Sequence, residues 1–320
     1  LGDAVNAGCT HAVIEITSEG ARQYRHRGIE LDMLLFTNLS PEHIESHGSF
    51  EKYRDAKRSI ARELAQSPKE TWMVANRDDN ESTFYLSLPG IKHAVAFSIA
   101  DAKPYMLGGA DGKENLITFT FHDTKISAPL TGLFNIYNAL GAASAASAMG
   151  IGTETIVKAL SKLPPIKGRA ERVKAGQNFD VVVDYAHTAD SLEKLYQSFP
   201  NSRKICVLGN TGGGRDTWKR PEMAKIADIY CDDIILTDED PYDDNPRSIV
   251  EEMKKAITKK PCEIIMDRRQ AIAKAISKAR AGDSVLITGK GTDPYIMGAN
   301  GKKEPWSDRA VAEEELRKIL

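Results

Sequence analysis

Glu15, His43 and Lys57 are the residues of this 320-residue chain whose types and spacing best suit reacting chemistry. A carboxylate and an imidazole converging at one sheet edge make an oxygen-rich pocket that suits Mg2+. Lys57 sets a condition, because an ammonium has no lone pair for a cation. It fits a metal site only as a carbamate formed with CO2; otherwise it contacts phosphate directly. Singly, each has a plainer reading, since a lysine on a helix's polar side is usually solvated and a loop histidine usually caps or is satisfied locally. Their company lifts them. Glu15 ends the apolar run His11-Ala-Val-Ile-Glu-Ile-Thr17, which predicts a strand, and Asp32-Met-Leu-Leu-Phe-Thr37 predicts the next. His43 lies beyond that strand's carboxyl end and Lys57 on a helix predicted over Ser49 to Gln66, where open α/β sheets bind ligands.

A second group lies far along the chain. Gly212-Gly-Gly-Arg-Asp216 follows the apolar run Lys204-Ile-Cys-Val-Leu208, so its backbone can approach a ligand and its amides can face an anion. Arg215, Lys219 and Arg220 place three cations within six residues, suited to a phosphate or carboxylate clamp. A flexible turn and a solvated helix face are the alternatives. Asp184 ends the strand Phe179-Asp-Val-Val-Val183 and either accepts hydrogen bonds from a ribose or caps the helix through Leu192; His187 follows on the same turn.

The elements that must position these groups are of two kinds. Residues 11–17, 32–37 and 71–76 read as strands separated by helices, the βα alternation of a parallel sheet. Between Ser82 and Ser127 short runs such as Phe84-Tyr-Leu-Ser-Leu and Leu116-Ile-Thr-Phe-Thr-Phe predict an antiparallel appendage. Helices over Leu133 to Met149 and Thr153 to Leu163 stop at Pro164-Pro165, which sets the expected domain boundary: residues 1–165, then 166–320. Beyond it, strands near 180–184, 204–208, 233–237, 261–266 and 284–288 alternate with helices from 188, 217, 246, 268 and 308, predicting a doubly wound, Rossmann-like sheet.

With 41% hydrophobic and 28% charged residues the composition is that of an ordinary soluble globular protein. The net charge of -2 provides no basic field for nucleic acid. No apolar run approaches the roughly 20 residues of a membrane span, so no membrane insertion is expected. Cys9, Cys206, Cys231 and Cys262 form no Cys-x-x-Cys pair, which predicts buried free thiols in a reducing compartment and argues against zinc.

Thr37-Asn-Leu-Ser-x-x-His43, His47-Gly and Ala56-Lys57 together resemble the central domain of the Mur ligases, nearest the UDP-N-acetylmuramoyl-tripeptide synthetases of the MurE type. Gly132-Leu-Phe-Asn-Ile-Tyr-Asn138, Gly168-Arg-Ala-Glu-Arg172, Asp184-Tyr-Ala-His-Thr188, Gly212-Gly-Gly-Arg-Asp216 with Lys219-Arg-Pro221, and Gly289-Lys-Gly291 are similar to that family's motifs in its order. The resemblance implies an α/β chain: a partial P-loop-type central Mur ligase domain with an antiparallel appendage, then a Rossmann-like Mur ligase C-terminal domain. It implies an ATP- and Mg2+-dependent ligase that phosphorylates the carboxylate of a UDP-MurNAc-dipeptide and joins it to a free amino acid, acting as a monomer in the cytoplasm. Lys57, as a carbamate, His43 and Glu15 would serve the metal; Ser18 and Arg25 the UDP-sugar-peptide, with Glu19 where a histidine is usual; Asn138, Arg169, Asp184 and His187 the ATP.

Two departures shape those expectations. Asp244-Asn-Pro-Arg247 spells the family's diaminopimelate signature one segment late; counted from the strand Asp233 to Thr237, the signature position holds Glu239-Asp-Pro-Tyr242. Tyr242 cannot form a guanidinium's bidentate pair. Asp240, Tyr242, Gly289 and Asp293 are thus the expected amino-acid contacts beside Arg215, Lys219 and Arg220, and lysine, diaminopimelate and other amino acids stay open. The 320 residues also contain no Gly-x-x-x-x-Gly-Lys-[Ser/Thr] phosphate loop. The expectation is therefore a fragment that begins inside the central domain and turns over little alone. A folylpolyglutamate-synthetase-like ligase and a non-catalytic binding fragment are the alternatives.

Overall fold

Residues 1–42, 44–107 and 116–320 are described by the structure, a computed structural model, and they divide into two compact units, Leu1–Phe97 and Ser98–Leu320. The first contains α1 (Gly2–Asn6), α2 (Ser18–Arg22), β1 (Met33–Phe36), α3 (Ile44–His47), α4 (Phe50–Ala65), β2 (Trp72–Asn76), α5 (Ser82–Leu86) and β3 (His93–Phe97). Its strands pair in parallel in the order β1-β2-β3, with Leu34 opposite Met73 and Val74 opposite Val95. Ser49 starts α4 by accepting a hydrogen bond from the Lys52 amide, and Tyr53, Ile60, Ala61 and Leu64 recur at helical spacing to form its buried face. Ala61 and Leu64 pack with Met73 and Ala75 of β2 and with Phe36, whose ring stacks on Tyr85 at 4.0 Å.

Two expectations fail in this unit. Residues 11–17 form no strand, and Val13 is fully exposed. An extended run needs a neighbour for its backbone hydrogen bonds, and no strand of the described residues pairs with this one. Glu15 therefore stands on an irregular segment. Phe84 and Tyr85, expected in a β-type run, are helical: burying Tyr85 against Phe36 outweighs the weak strand preference of aromatics. The third strand is His93–Phe97 instead.

In the second unit β4 (Met106–Leu107), β5 (Ile117–Phe121) and β6 (Thr124–Ala128) make the expected antiparallel sheet, with His122 and Asp123 at φ 44° and 59° in the two-residue turn between β5 and β6. Helices α6 (Leu133–Ala148) and α7 (Thr153–Ser161) follow. Then come β7 (Glu171–Arg172), β8 (Asp180–Asp184), α8 (Ala189–Gln197), β9 (Lys204–Leu208), α9 (Lys219–Tyr230), β10 (Asp233–Leu236), α10 (Pro246–Lys255), β11 (Cys262–Ile264), α11 (Arg268–Lys278), β12 (Ser284–Thr288), a hairpin of β13 (Tyr295–Met297) and β14 (Lys303–Pro305), and α12 (Asp308–Arg317). The main sheet runs β11-β10-β9-β12-β8-β7, all parallel except β7.

Alternation along its strands feeds two cores. Val182, Cys206, Leu208, Ile234 and Leu286 meet α8, α9 and α10 on one face, while Val181, Val183, Ile205, Val207, Val285 and Ile287 meet α11 and α12 on the other. The α/β fold with a doubly wound C-terminal sheet is thus present. Pro164-Pro165, the expected boundary, lies inside the second unit. Gly132 (φ +90°) shows how the helices before it join the sheet's helices: a Cβ there would stand 2.2 Å from Ser198 Oγ. The thiol expectation is corrected too, because the fully buried Cys206 and Cys231 form a disulfide, Cys9 is exposed and Cys262 half-buried. Cys206 on β9 and Cys231 just past α9 have Cα atoms 6.2 Å apart, a proximity that only the tertiary packing creates.

Candidate active site

In the first unit, α2 and α3 are latched together beside α4. Thr17 caps α2 through the Gly20 amide, Arg22 donates to the Ser46 carbonyl at 2.7 Å, and the buried Ser18 hydroxyl lies 3.1 Å from His47 Nε2. Glu19 accepts from Arg22 and Gln23, the latter just past the helix. Arg25 follows α2 with its side chain in solvent. His43 lies outside the described residues.

Lys57 is half-buried in the middle of α4, with its Nζ 5.9 Å from the centre of the Tyr53 ring. Burial pushes its ammonium below the ordinary lysine pKa, while the carboxylates of Glu42 and Glu15 pull it back up. Glu15 and Lys57 are thus brought within electrostatic reach, with Glu42 added. Glu42 was missed in the sequence, although an acid directly before His43 was the available signal. Among the described residues no three His, Cys, Asp or Glu side chains cluster as metal ligands. The donors near Lys57 are carboxylate oxygens, the class that suits Mg2+.

In the second unit the residues singled out from the sequence, Asn138 apart, gather at the carboxyl ends of neighbouring strands β8, β12, β9 and β10 or on the segment that pairs with β8. Asp184 ends β8 with both carboxylate oxygens engaged, one by the Ala170 amide at 2.6 Å and one by the Ala186 amide at 2.7 Å. Burial raises its pKa against those hydrogen bonds. It ties the Gly168–Arg172 segment to the turn after β8 and leaves Arg169 exposed, its guanidinium 4.6 Å from the Tyr185 ring centre. His187 Nδ1 is 2.8 Å from the Tyr185 carbonyl, which assigns the proton to that nitrogen. Asn138 is exposed on α6 and donates to Asn135 at 3.1 Å.

The three cations of the expected clamp do not share one solvent-facing site. Lys219 is buried 3.0 Å from Asp216, and Arg220 is buried against Glu252 at 2.9 Å and Asp244 at 3.3 Å. Arg215 alone of the three is exposed, stacked 4.8 Å from the Tyr242 ring centre. Tyr242 (φ +51°) is held by donating its amide to the Met297 carbonyl of the hairpin. Asp240 accepts from the buried Lys290 at 2.6 Å and from the Met297 amide at 2.8 Å, and Asp293 stands 3.7 Å from the same Lys290.

Beneath Gly289 lies a group that the sequence places at the start of the signature position and to which it assigns no role. Glu239 is 4% exposed, and its Oε2 has no hydrogen-bond partner among the described residues. Burial, reinforced by Asp240 and partly offset by Arg268, His187 and Lys290, pushes its carboxyl from 4.5 to about 7. Between these values the unfolded chain has released a proton that the folded chain keeps, so this contribution to stability is whole below pH 4.5 and lost as pH rises through 7. The loss amounts to roughly 3 kcal/mol. Glu239→Gln should flatten that slope, and urea unfolding of both proteins at several pH values across the window checks it.

Residues 1–146 match the Mur ligase middle domain and residues 168–291 the Mur ligase glutamate ligase domain. The chain is 35% identical over 326 residues to a UDP-N-acetylmuramoyl-L-alanyl-D-glutamate–2,6-diaminopimelate ligase of Bacillus licheniformis, an alignment covering 98% of this chain and 66% of that protein. It is also 35% identical over 342 residues to a UDP-N-acetylmuramyl-tripeptide synthetase of a Roseiflexus species, covering 100% of this chain and 67% of the relative. A solved diaminopimelate ligase of the same description superposes with a TM-score of 0.60 at 27% identity, over 99% of this chain and 66% of that one. The chain thus spans about two thirds of the length of these relatives. Ordered motifs, sheet topology and similarity along the whole sequence agree that the chain belongs to the Mur ligase family.

Proposed function

We propose that this chain is part of an ATP-dependent ligase that adds the third residue to UDP-MurNAc-dipeptide. The observation that carries the reading is the match of residues 1–146 and 168–291 to the middle and glutamate-ligase domains of Mur ligases, with the half-buried Lys57 within electrostatic reach of Glu15 and Glu42. In such a reaction the dipeptide carboxylate takes the terminal phosphoryl group of ATP, and the amine of the incoming amino acid then displaces phosphate. Repulsion between anions is the barrier, so bound Mg2+ would supply positive charge there. Glu15, Glu42, His43 and a carbamylated Lys57 would hold it.

Lys57 suits carbamylation because burial favours its neutral amine, which attacks CO2 and gives up a proton. Arg169, Asp184, His187 and Asn138 would serve the nucleotide, with Asp184 acting by fixing the Arg169 turn. Arg215, exposed and oriented by Tyr242, would pair with the carboxylate of the amino acid, beside Asp293. Ser18 and Arg25 would meet the sugar-peptide. The division between the two domains would fall at Pro164-Pro165, a reading supported by the spans matched on either side, residues 1–146 and 168–291.

The deciding experiment assays the full-length protein carrying this chain for ADP release with UDP-MurNAc-dipeptide and a panel of amino acids that includes lysine and diaminopimelate. Absence of amide product with every amino acid would overturn the reading. Lys57→Ala should lower turnover by about 100-fold, and a carbamate carbonyl signal under 13CO2 should disappear with it. The 320 residues alone, which lack a Gly-Lys-Ser/Thr phosphate loop, should turn over little.

A further inference from the structure

We propose that the first unit carries a second binding site, on the face of α4 turned away from Lys57, which takes a small organic phosphate. An open cleft of about 360 Å3 is lined by Tyr24, His26 and Arg27 from the turn after α2, by Arg62 and Glu63 from α4 and by Gln66 at its carboxyl end. At 100° per residue Ser59, Arg62 and Glu63 lie roughly 120–160° round the helix from Lys57, and neither Glu15 nor Lys57 is among the lining residues.

Charge and hydrogen-bonding capacity define the ligand. Glu63 is the one carboxylate among the lining residues, and it is already held by the buried His26, whose Nε2 lies 2.9 Å from it. Two guanidinium groups remain. Arg27 stacks on the Tyr24 ring at 4.1 Å rather than on a carboxylate. Arg62 has the Phe84 ring centre at 5.4 Å and Asp55 at 3.5 Å, but both charged side chains are about half exposed and such a pair is weak. The wall therefore offers an excess of donors and of positive charge, and a group with several anionic oxygens answers both.

The turn itself is strained. Tyr24 adopts φ +57°, a left-handed conformation that costs a non-glycine residue about 1 kcal/mol or more, and it brings the Tyr24 ring under the Arg27 guanidinium. Volume bounds the size of the ligand. At roughly 30 Å3 per water the space exceeds what a bare phosphate fills, and it falls at the small end of metabolite pockets. The Tyr24 ring offers an apolar surface to the carbon body.

Calorimetric titration of the 320-residue chain with glycerol 3-phosphate, inorganic phosphate and glycerol at matched ionic strength tests the site. Glycerol 3-phosphate should bind more tightly than phosphate, and glycerol should not bind. Arg27→Gln and Arg62→Gln alter exposed side chains, and each should weaken glycerol 3-phosphate about tenfold with unchanged circular dichroism. Lys57→Ala and Arg215→Gln should bind as the unaltered chain does. The proposal is overturned by no saturable binding below roughly 10 mM, by equal affinity for phosphate and glycerol 3-phosphate, by full affinity in an Arg27→Gln/Arg62→Gln double variant, or by loss of binding in Lys57→Ala or Arg215→Gln.

Discussion

Asp308→Ala is expected to destabilise the second unit by about 3–5 kcal/mol, read from urea unfolding. Arg268 and Asp308 are 1% and 0% exposed by side chain, and both carboxylate oxygens are met, at 2.8 Å from Nε and 2.7 Å from Nη2. The same guanidinium donates to the Asp238 carbonyl at 3.1 Å and the Thr288 carbonyl at 2.7 Å, and the Trp306 indole donates to Asp308 at 2.8 Å. One ion pair thereby ties α11 and α12 to the carboxyl ends of β10 and β12, where the Glu239–Tyr242 and Gly289–Asp293 loops begin. Alanine leaves a buried guanidinium without its counter-charge, which is worse than having no pair at all. The double variant Arg268→Met/Asp308→Leu should therefore lose much less than Asp308→Ala alone. A loss under about 1 kcal/mol for Asp308→Ala would show that water or a neighbouring group compensates the charge.

The C-terminal sheet was legible because its strands are buried on both faces. Val181 to Val183, Ile205 to Leu208 and Val285 to Ile287 are continuous apolar runs bracketed by helices, a pattern that local sequence carries by itself. The segment 11–17 shows the limit of that pattern, because an apolar run becomes a strand only when another strand lies beside it. The site divides along the same line. Clustering at strand ends was readable from motif positions, whereas the partners of each charge were not. Lys290 finds Asp240 across 50 positions, Arg220 finds Glu252 across 32 and Arg268 finds Asp308 across 40. Such pairings arise from topology, so three neighbouring cations in the sequence became two internal ion pairs and one exposed guanidinium. Glu239 drew no role from the sequence for the same reason: its burial beneath Gly289 depends on how two loops meet.

Gly289→Ala should cost roughly 4 kcal/mol, from two separable causes. Gly289 has φ +105°, a conformation closed to L side chains, and holding alanine there costs about 1–3 kcal/mol. An added Cβ would also lie 2.1 Å from Glu239 Oε2, and that side chain is itself buried, so it cannot swing into solvent. Overpacking of this kind costs about 1–3 kcal/mol more. A double-mutant cycle separates the two terms: in a Glu239→Ala background the collision is gone and the backbone strain remains, so Gly289→Ala should cost about half as much there. Equal costs in both backgrounds would leave strain as the whole cause and remove Glu239 from the explanation. The coupling also bears on the site, because Gly289 begins the loop that places Lys290 on Asp240 and Asp293 beside Lys290. Glycine is required there because it lets a buried carboxylate stand directly under the loop, and any side chain at this position would move the loop that presents Asp293.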